Sequence, residues 1–227
     1  MQEPPIFFDV MLHLGTLLVV VVYFWADILD IARGIGTTLK KQKGKQDGAK
    51  LFLWIIVGTI PTGLIGFLFK DWFKTFFSRP KLVGVMLLIT GLLLWLTRWT
   101  KRGGRKIENM NWMDSILVGI AQGMAIIPGI SRSGATISTG LFCGLDRELS
   151  GKFSFLLSIP AILGATLLEF KKIDSFQEVW TILIGMAIAF GVGILSLRFL
   201  LKINKIGKIS NFSYYCWIIG IVIIILM

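Results

Sequence analysis

Between Pro128 and Ser138 the chain reads Pro-Gly-Ile-Ser-Arg-Ser-Gly-Ala-Thr-Ile-Ser. These residue types, spaced this closely, suit an oxyanion of the phosphate kind. Arg132 presents a planar fork of donors that matches phosphate oxygens. Ser131, Ser133, Thr136 and Ser138 offer hydroxyls, and Gly129 and Gly134 let the backbone approach a ligand closely. A helix beginning near Ser133 adds free N–H groups and the positive end of its dipole. Arg132 is the one basic residue between Lys106 and Arg147, and no acid lies within ten residues of it. A charge in mid-membrane costs at least about 2.5 kcal/mol, and an anionic ligand offsets that cost. A second reading of the same residues has Arg132 reaching an interface while the serines cap a helix and the small residues pack. Gln122, six residues before Pro128, serves a ligand or a neighbouring helix equally well. His13, the only histidine, fits a helix–helix hydrogen bond better than catalysis.

The surrounding chain has to carry this segment into a membrane. Hydrophobic residues make up 55% of it and charged residues 16%, against about 25% charged in a soluble domain. Apolar runs at 11–25, 51–69, 82–96, 153–170, 179–201 and 212–227 approach the roughly 20 residues of a spanning helix. Strand alternation is absent, which argues against a transmembrane barrel. The run from Ile116 to Leu145 is different, because Pro128-Gly129 and the polar cluster split it. Each arm is about 13 residues, or about 20 Å of helix, too short for a hydrocarbon core of roughly 30 Å. The pattern predicts two half-helices that dip in and return, with irregular backbone buried in protein or lining a wet cavity. The expected fold is therefore an all-α polytopic membrane protein, about six transmembrane helices plus one re-entrant half-helix hairpin at about 115–145. The whole of 1–227 forms a single membrane domain.

The net charge of +11 fits lipid headgroups and topology rather than nucleic acid. Of the 24 Lys and Arg residues, seventeen fall at 33–50, 98–106, 147–152 and 198–208, six at 70–81 and 171–172, and Arg132 alone between. The positive-inside rule makes the first set of loops cytoplasmic. Both ends of the hairpin then face the cytoplasm, and the termini are expected on opposite sides. Asp27, Asp30 and Glu169 end spans, at interfaces. Cys143 and Cys216 read as small core residues. The start of the chain lacks the basic region of a cleavable signal peptide.

Pro128-Gly129 followed by Ser131-Arg132-Ser133-Gly134-Ala135-Thr136-Ile137 resembles the Pro-Gly-x-Ser-Arg-Ser signature of the bacterial undecaprenyl-diphosphatases, the bacitracin-resistance family. Phe8-Asp9-Val10 through Leu14-Gly15-Thr16 is similar to a family span, and so are Gly58-Thr59-Ile60-Pro61 with Phe69-Lys70-Asp71. The stretch 153–160 with Gly164-Ala165-Thr166 resembles the span after the signature. The resemblance runs over essentially the whole chain. It implies six spans with re-entrant hairpins in inverted repeats. The implied activity removes the terminal phosphate of undecaprenyl diphosphate, recycling the lipid carrier for cell-wall (peptidoglycan) synthesis, with bacitracin resistance and a place in the bacterial plasma membrane. It agrees with the cradle on Arg132 and its serines as diphosphate binders; Arg132 and Ser131 are expected as catalytic groups, and the cradle reading adds Gly129, Ser133, Gly134, Thr136 and Gln122 as substrate-binding ones. A divalent cation, Mg²⁺ or Ca²⁺, is implied as cofactor, with no ligand assignable. An oligomer is left open. The family also has a further hairpin before the first span, with a Glu-x-x-x-Glu stretch and a Ser-Ser-x-Gly-His segment. Neither is present here, and His13 does not match that histidine, so this chain is expected to be shortened at its N-terminus and weak or inactive alone.

Two other classes compete. The phosphatidic-acid phosphatase superfamily needs Ser-Arg, five residues, then His; six after Arg132 stands Ser138, so that pattern fails. A transporter or scramblase of an anionic polyprenyl phospholipid would use the same cradle and broken helices, but needs no nucleophile or base.

Overall fold

The structure is a computed structural model that describes residues 6–39, 46–69, 72, 76, 79–100, 103–170 and 179–227. Every named element among them is helical. In chain order they are α1 (Ile6–Tyr23), α2 (Trp25–Leu39), α3 (Gln46–Leu68), α4 (Pro80–Leu96), α5 (Trp112–Met124), α6 (Arg132–Phe142), α7 (Arg147–Phe170), α8 (Val179–Lys205) and α9 (Phe212–Leu226). Short 3₁₀ turns lie at Thr97–Trp99, Ile107–Asn109 and Ile209–Asn211. The loop residues 40–45, 70–71, 73–75, 77–78, 101–102 and 171–178, and the first five residues, lie outside the described set, and so does the Glu169 side chain.

Five helices are long and apolar enough to cross a membrane: Asp47–Leu68, Pro80–Trp99, Arg147–Leu167, Leu183–Lys205 and Ile209–Leu226. They match the apolar runs from 51 onward. The first expected span is corrected. Instead of one straight helix ending near Trp25, α1 and α2 meet at 70° around Phe24, and the helix runs on through Arg33 to Leu39, where a polar loop was expected. The Asp27–Lys152 ion pair at 2.6 Å ties α2 to α7, so the acids that end the apolar run do not end the helix. With the bent pair counted as one crossing the helices make six. Five crossings would leave the termini on opposite faces, as expected from the charge pattern, and six would bring them to one face. The protein is an all-α, multi-pass membrane protein.

Prolines stand inside α3 (Pro61) and α7 (Pro160) without ending either helix. A proline removes one backbone donor and weakens the ladder behind it. Hydroxyls near each proline bond back into the helix: Thr59 donates to the Ile55 carbonyl at 2.7 Å and Thr62 to Gly58 at 3.0 Å. In α7, Ser158 donates to the Phe155 carbonyl at 2.7 Å. Of the five spans α7 is the most enclosed, 56% of its window being buried against 6% for α8. Leu156, Leu157 and Phe153 of α7 join Val19, Val20 and Phe24 in the largest core cluster.

Residues of three basic loops meet acidic residues at one end of the bundle. Asp27, Asp47, Lys106, Arg147, Lys152 and Lys205 line one open cavity of about 750 Å³. That cavity gathers the ends of α2, α3, α7 and α8 with the loop before α5 at one end of the bundle. No residue from Gly129 to Ser138 lines it.

Candidate functional site

The expected hairpin is present as α5 and α6, 13 and 11 residues long, separated by residues 125–131. Its feet are closed by hydrogen bonds. Asn111 caps α5 by accepting from the Asp114 N–H at 3.0 Å, and Asp114 accepts from the Asn111 N–H at 2.9 Å, a reciprocal capping box. Arg105, in the preceding loop, donates to Asp114 at 2.7 Å, to the Asn109 carbonyl at 2.9 Å and to the Cys143 carbonyl at 2.6 Å. Its backbone N–H also bonds the Gly144 carbonyl, and its carbonyl accepts from the Asp146 N–H. One arginine thus joins the start of α5 to the end of α6, and both feet must lie on one side. The sequence reading counted Arg105 only as a topological charge.

α5 is seated on α3. A Cβ on Gly119 would run into the Gly58 carbonyl, so glycine is what lets the two backbones touch. Thr62 of α3 donates to the Gly119 carbonyl at 2.8 Å. Gln122 is buried and donates to the Leu157 carbonyl at 3.2 Å and to Thr62 at 3.4 Å. Of its two open readings, the structure gives the contact between helices α3, α5 and α7.

At the tip the chain turns twice before α6. Gly129 has φ +93°, and a Cβ there would meet the Val83 carbonyl of α4. Its glycine is therefore required by a left-handed turn packed on α4, where ligand approach was the expectation. Ser131 is the N-cap of α6, its Oγ accepting from the Gly134 N–H at 3.2 Å. The helix begins at Arg132, one residue before the expected Ser133. Gly134 is buried under that cap, a Cβ on it lying 3.0 Å from the Ser131 side chain and 3.6 Å from Leu94. Thr90 of α4 donates to the Gly129 carbonyl at 3.0 Å and accepts from the Ser131 N–H at 3.1 Å.

The cluster then divides. Thr136 and Ser138 are fully buried. The Thr136 hydroxyl donates to the Arg132 carbonyl at 2.8 Å and lies 2.5 Å from the Ser154 hydroxyl of α7, so it faces the core rather than the break. Ser131, Arg132 and Ser133 are only half-buried. Among the described residues Arg132 has neither a hydrogen-bond partner for its guanidinium nor an ion pair. The N–H groups of Arg132 and Ser133 stand in the first turn of α6, where no intrahelical acceptor exists. A guanidinium and two hydroxyls thus stand on consecutive residues at a helix N-terminus, where the dipole favours negative charge. His13 lies on the exposed face of α1. Among the described residues no group of three or more His, Cys, Asp or Glu could hold a metal ion, so the residues present do not fit a protein-held cation.

Fold and site together define a polytopic helical membrane protein with an arginine lacking a protein partner, among the described residues, at a broken helix. The chain belongs to the family of the bacitracin resistance protein BacA, whose profile matches residues 1–222. It is 46% identical over 222 residues to the undecaprenyl-diphosphatase of Halothermothrix orenii, covering 96% of this chain and 82% of that protein. Against the undecaprenyl-diphosphatase of Desulforapulum autotrophicum it is 43% identical over 236 residues, 98% of this chain and 85% of the relative. Against that of Carboxydothermus hydrogenoformans it is 43% identical over 232 residues, 100% and 84%.

Proposed function

We propose that this chain is an undecaprenyl-diphosphate phosphatase, cleaving the terminal phosphate from a polyprenyl diphosphate in the plasma membrane and returning the monophosphate carrier to cell-wall synthesis. The observation that carries the reading is Arg132: a half-buried guanidinium without a protein partner among the described residues, at the N-terminus of α6. The names of the relatives support the substrate and the hydrolysis. They disfavour a carrier of anionic lipid, which would use the same cradle.

In this reading Arg132 takes two non-bridging oxygens of the diphosphate, a bidentate, charge-assisted contact. The free N–H groups of α6 and the Ser133 hydroxyl take others. Ser131 keeps its hydroxyl proton to donate while its oxygen caps the helix. Water attacks the terminal phosphorus, the bond to the bridging oxygen breaks, and its electron pair stays on the lipid monophosphate. The water's proton leaves to solvent or to a product oxygen. Fixed donors that stabilise the developing charge lower the barrier most in a water-poor site. No step is routed through a divalent cation. The lipid tail lies along the apolar helices, and the basic loops face headgroups rather than nucleic acid.

The test uses the purified chain in detergent micelles with undecaprenyl diphosphate, reading phosphate release and lipid binding separately. Binding that Arg132→Ala weakens by about 100-fold, together with Arg132-dependent release of phosphate, is the expected result. Equal affinity in wild type and Arg132→Ala overturns the cradle. Arg132-dependent binding with release of phosphate only from a version extended by the family's first hairpin assigns the cradle to these 227 residues and the chemistry to that hairpin; no release from either overturns the hydrolase assignment and returns the carrier reading.

A further inference from the structure

We infer that Thr90, on α4, is a positioning residue for the diphosphate clamp: its one hydroxyl holds both ends of the Gly129–Ser131 turn and so fixes where Arg132 stands. This rests on the reading of Arg132 as the clamp.

Three observations carry it. The hydroxyl makes two bonds to backbone groups two residues apart, giving its proton to the Gly129 carbonyl and taking one from the Ser131 N–H. Ser131 directly precedes Arg132, so these bonds set the direction in which the chain enters α6. Second, Thr90 is 1% exposed. Backbone groups in such surroundings are costly to leave unpaired, so the turn has a strong preference for the geometry that Thr90 allows.

Third, Thr59, Thr136 and Thr139 give their proton to the carbonyl four residues back in their own helix, whereas Thr62 reaches across to the Gly119 carbonyl at 2.8 Å as well as back to Gly58 at 3.0 Å, and seats α5 on α3. Thr90 sends its proton out of α4, to the tip of the hairpin. Its neighbours on the same face do related work. Val83 and Met86 receive the left-handed Gly129, and Leu94 receives Gly134. Positions 83, 86, 90 and 94 recur at helical spacing on one stripe, so α4 is a bed under the turn and under the first residues of α6. The aim of Arg132 is thus set by a helix that contributes no charged group to the site.

Misplacing a binding group by about 1 Å is enough to cost up to about 100-fold. Thr90→Val keeps the shape and removes both bonds; Thr90→Ser keeps the hydroxyl. Binding of undecaprenyl diphosphate in detergent micelles is measured for both, for Arg132→Ala and for the Thr90→Val/Arg132→Ala double variant, with thermal melting alongside. Expected are about tenfold weaker binding for Thr90→Val and, for Thr90→Ser, affinity within about threefold of wild type. In the double variant the loss should be within about twofold of Arg132→Ala alone, since both changes act through one group. If the valine variant aggregates, Thr90→Ala removes the same two bonds. Wild-type affinity in the variant lacking the hydroxyl overturns the assignment of Thr90, and so does a full extra tenfold loss on the Arg132→Ala background. Unchanged affinity in Arg132→Ala itself overturns the cradle, and Thr90's role with it.

Discussion

The hairpin carries two arginines in opposite states. At its feet Arg105 has three side-chain hydrogen bonds, one of them an ion pair with Asp114. At its tip Arg132 has no such partner among the described residues, although it is half-buried. The difference separates architecture from function. A guanidinium with three donors spent on two chain segments is a bolt, and it closes the loop of backbone that must return to one face. A half-buried guanidinium left without a protein partner among the described residues has a cost that an anion offsets. The rest of the tip follows the same division. Thr136 is turned inward and satisfied by Ser154, whereas Ser131 and Ser133 remain beside Arg132.

The largest effect should come from the tip. Arg132→Ala is expected to lower affinity for undecaprenyl diphosphate by about 100-fold or more, as a charge-assisted bidentate contact is lost, while the melting temperature moves little. Arg132→Lys should recover only a small part, because a point charge cannot reproduce the fork. A wild-type affinity in either variant would erase the contrast between the two arginines.

At the feet the signature should invert. Arg105→Ala is expected to cost about 2 kcal/mol of stability, below the 3–5 kcal/mol of a fully buried broken pair because the arginine is partly exposed. The protein that remains folded should bind lipid diphosphate with near wild-type affinity. Calorimetric melting paired with a binding isotherm separates the two quantities, and a fall in affinity without a fall in stability would move Arg105 into the site.

A smaller change sharpens the division inside the cluster. Thr136→Val should cost about 1 kcal/mol, the ordinary worth of a lost buried hydrogen bond, and leave affinity unchanged. A tenfold loss of affinity instead would put the Thr136 hydroxyl back on the ligand. Least of all is expected from Lys205→Ala. Its pair with Glu148, 2.9 Å long, is two-thirds exposed on both sides, and such pairs contribute little. No resolvable shift in melting or binding should follow.

Much of this was legible in advance for one reason: burial in lipid imposes a length. The spans from 51 onward, the half-length arms and the broken run between them all follow from apolar stretches measured against a bilayer. The cluster around Arg132 was legible because a lone cation in such a stretch is expensive. The α1–α2 bend was not. Composition suggests that a span ends at Asp27, whereas a partner from a distant helix, Lys152, keeps the acid inside the helical run. Arg105, Thr90 and the orientation of Thr136 escaped for a similar reason, since each depends on a partner far along the chain or on which side of a helix faces the core. Gln122 carried two readings until Leu157 and Thr62 were found beside it.

The sequence by itself determined an all-α membrane chain, a hairpin too short to span, and a cationic, hydroxyl-rich break at its tip. Those are local quantities, set by run length, by the proline and glycine that interrupt the run, and by the cost of charge in hydrocarbon. Only the tertiary structure decided which arginine is spent and which is left, which hydroxyls face the break, and that α4 carries the turn. Hydrogen-bond satisfaction is a property of pairs, and the partners lie 41 residues apart for Thr90 and Ser131 and 60 for Gln122 and Thr62, beyond the reach of any local pattern.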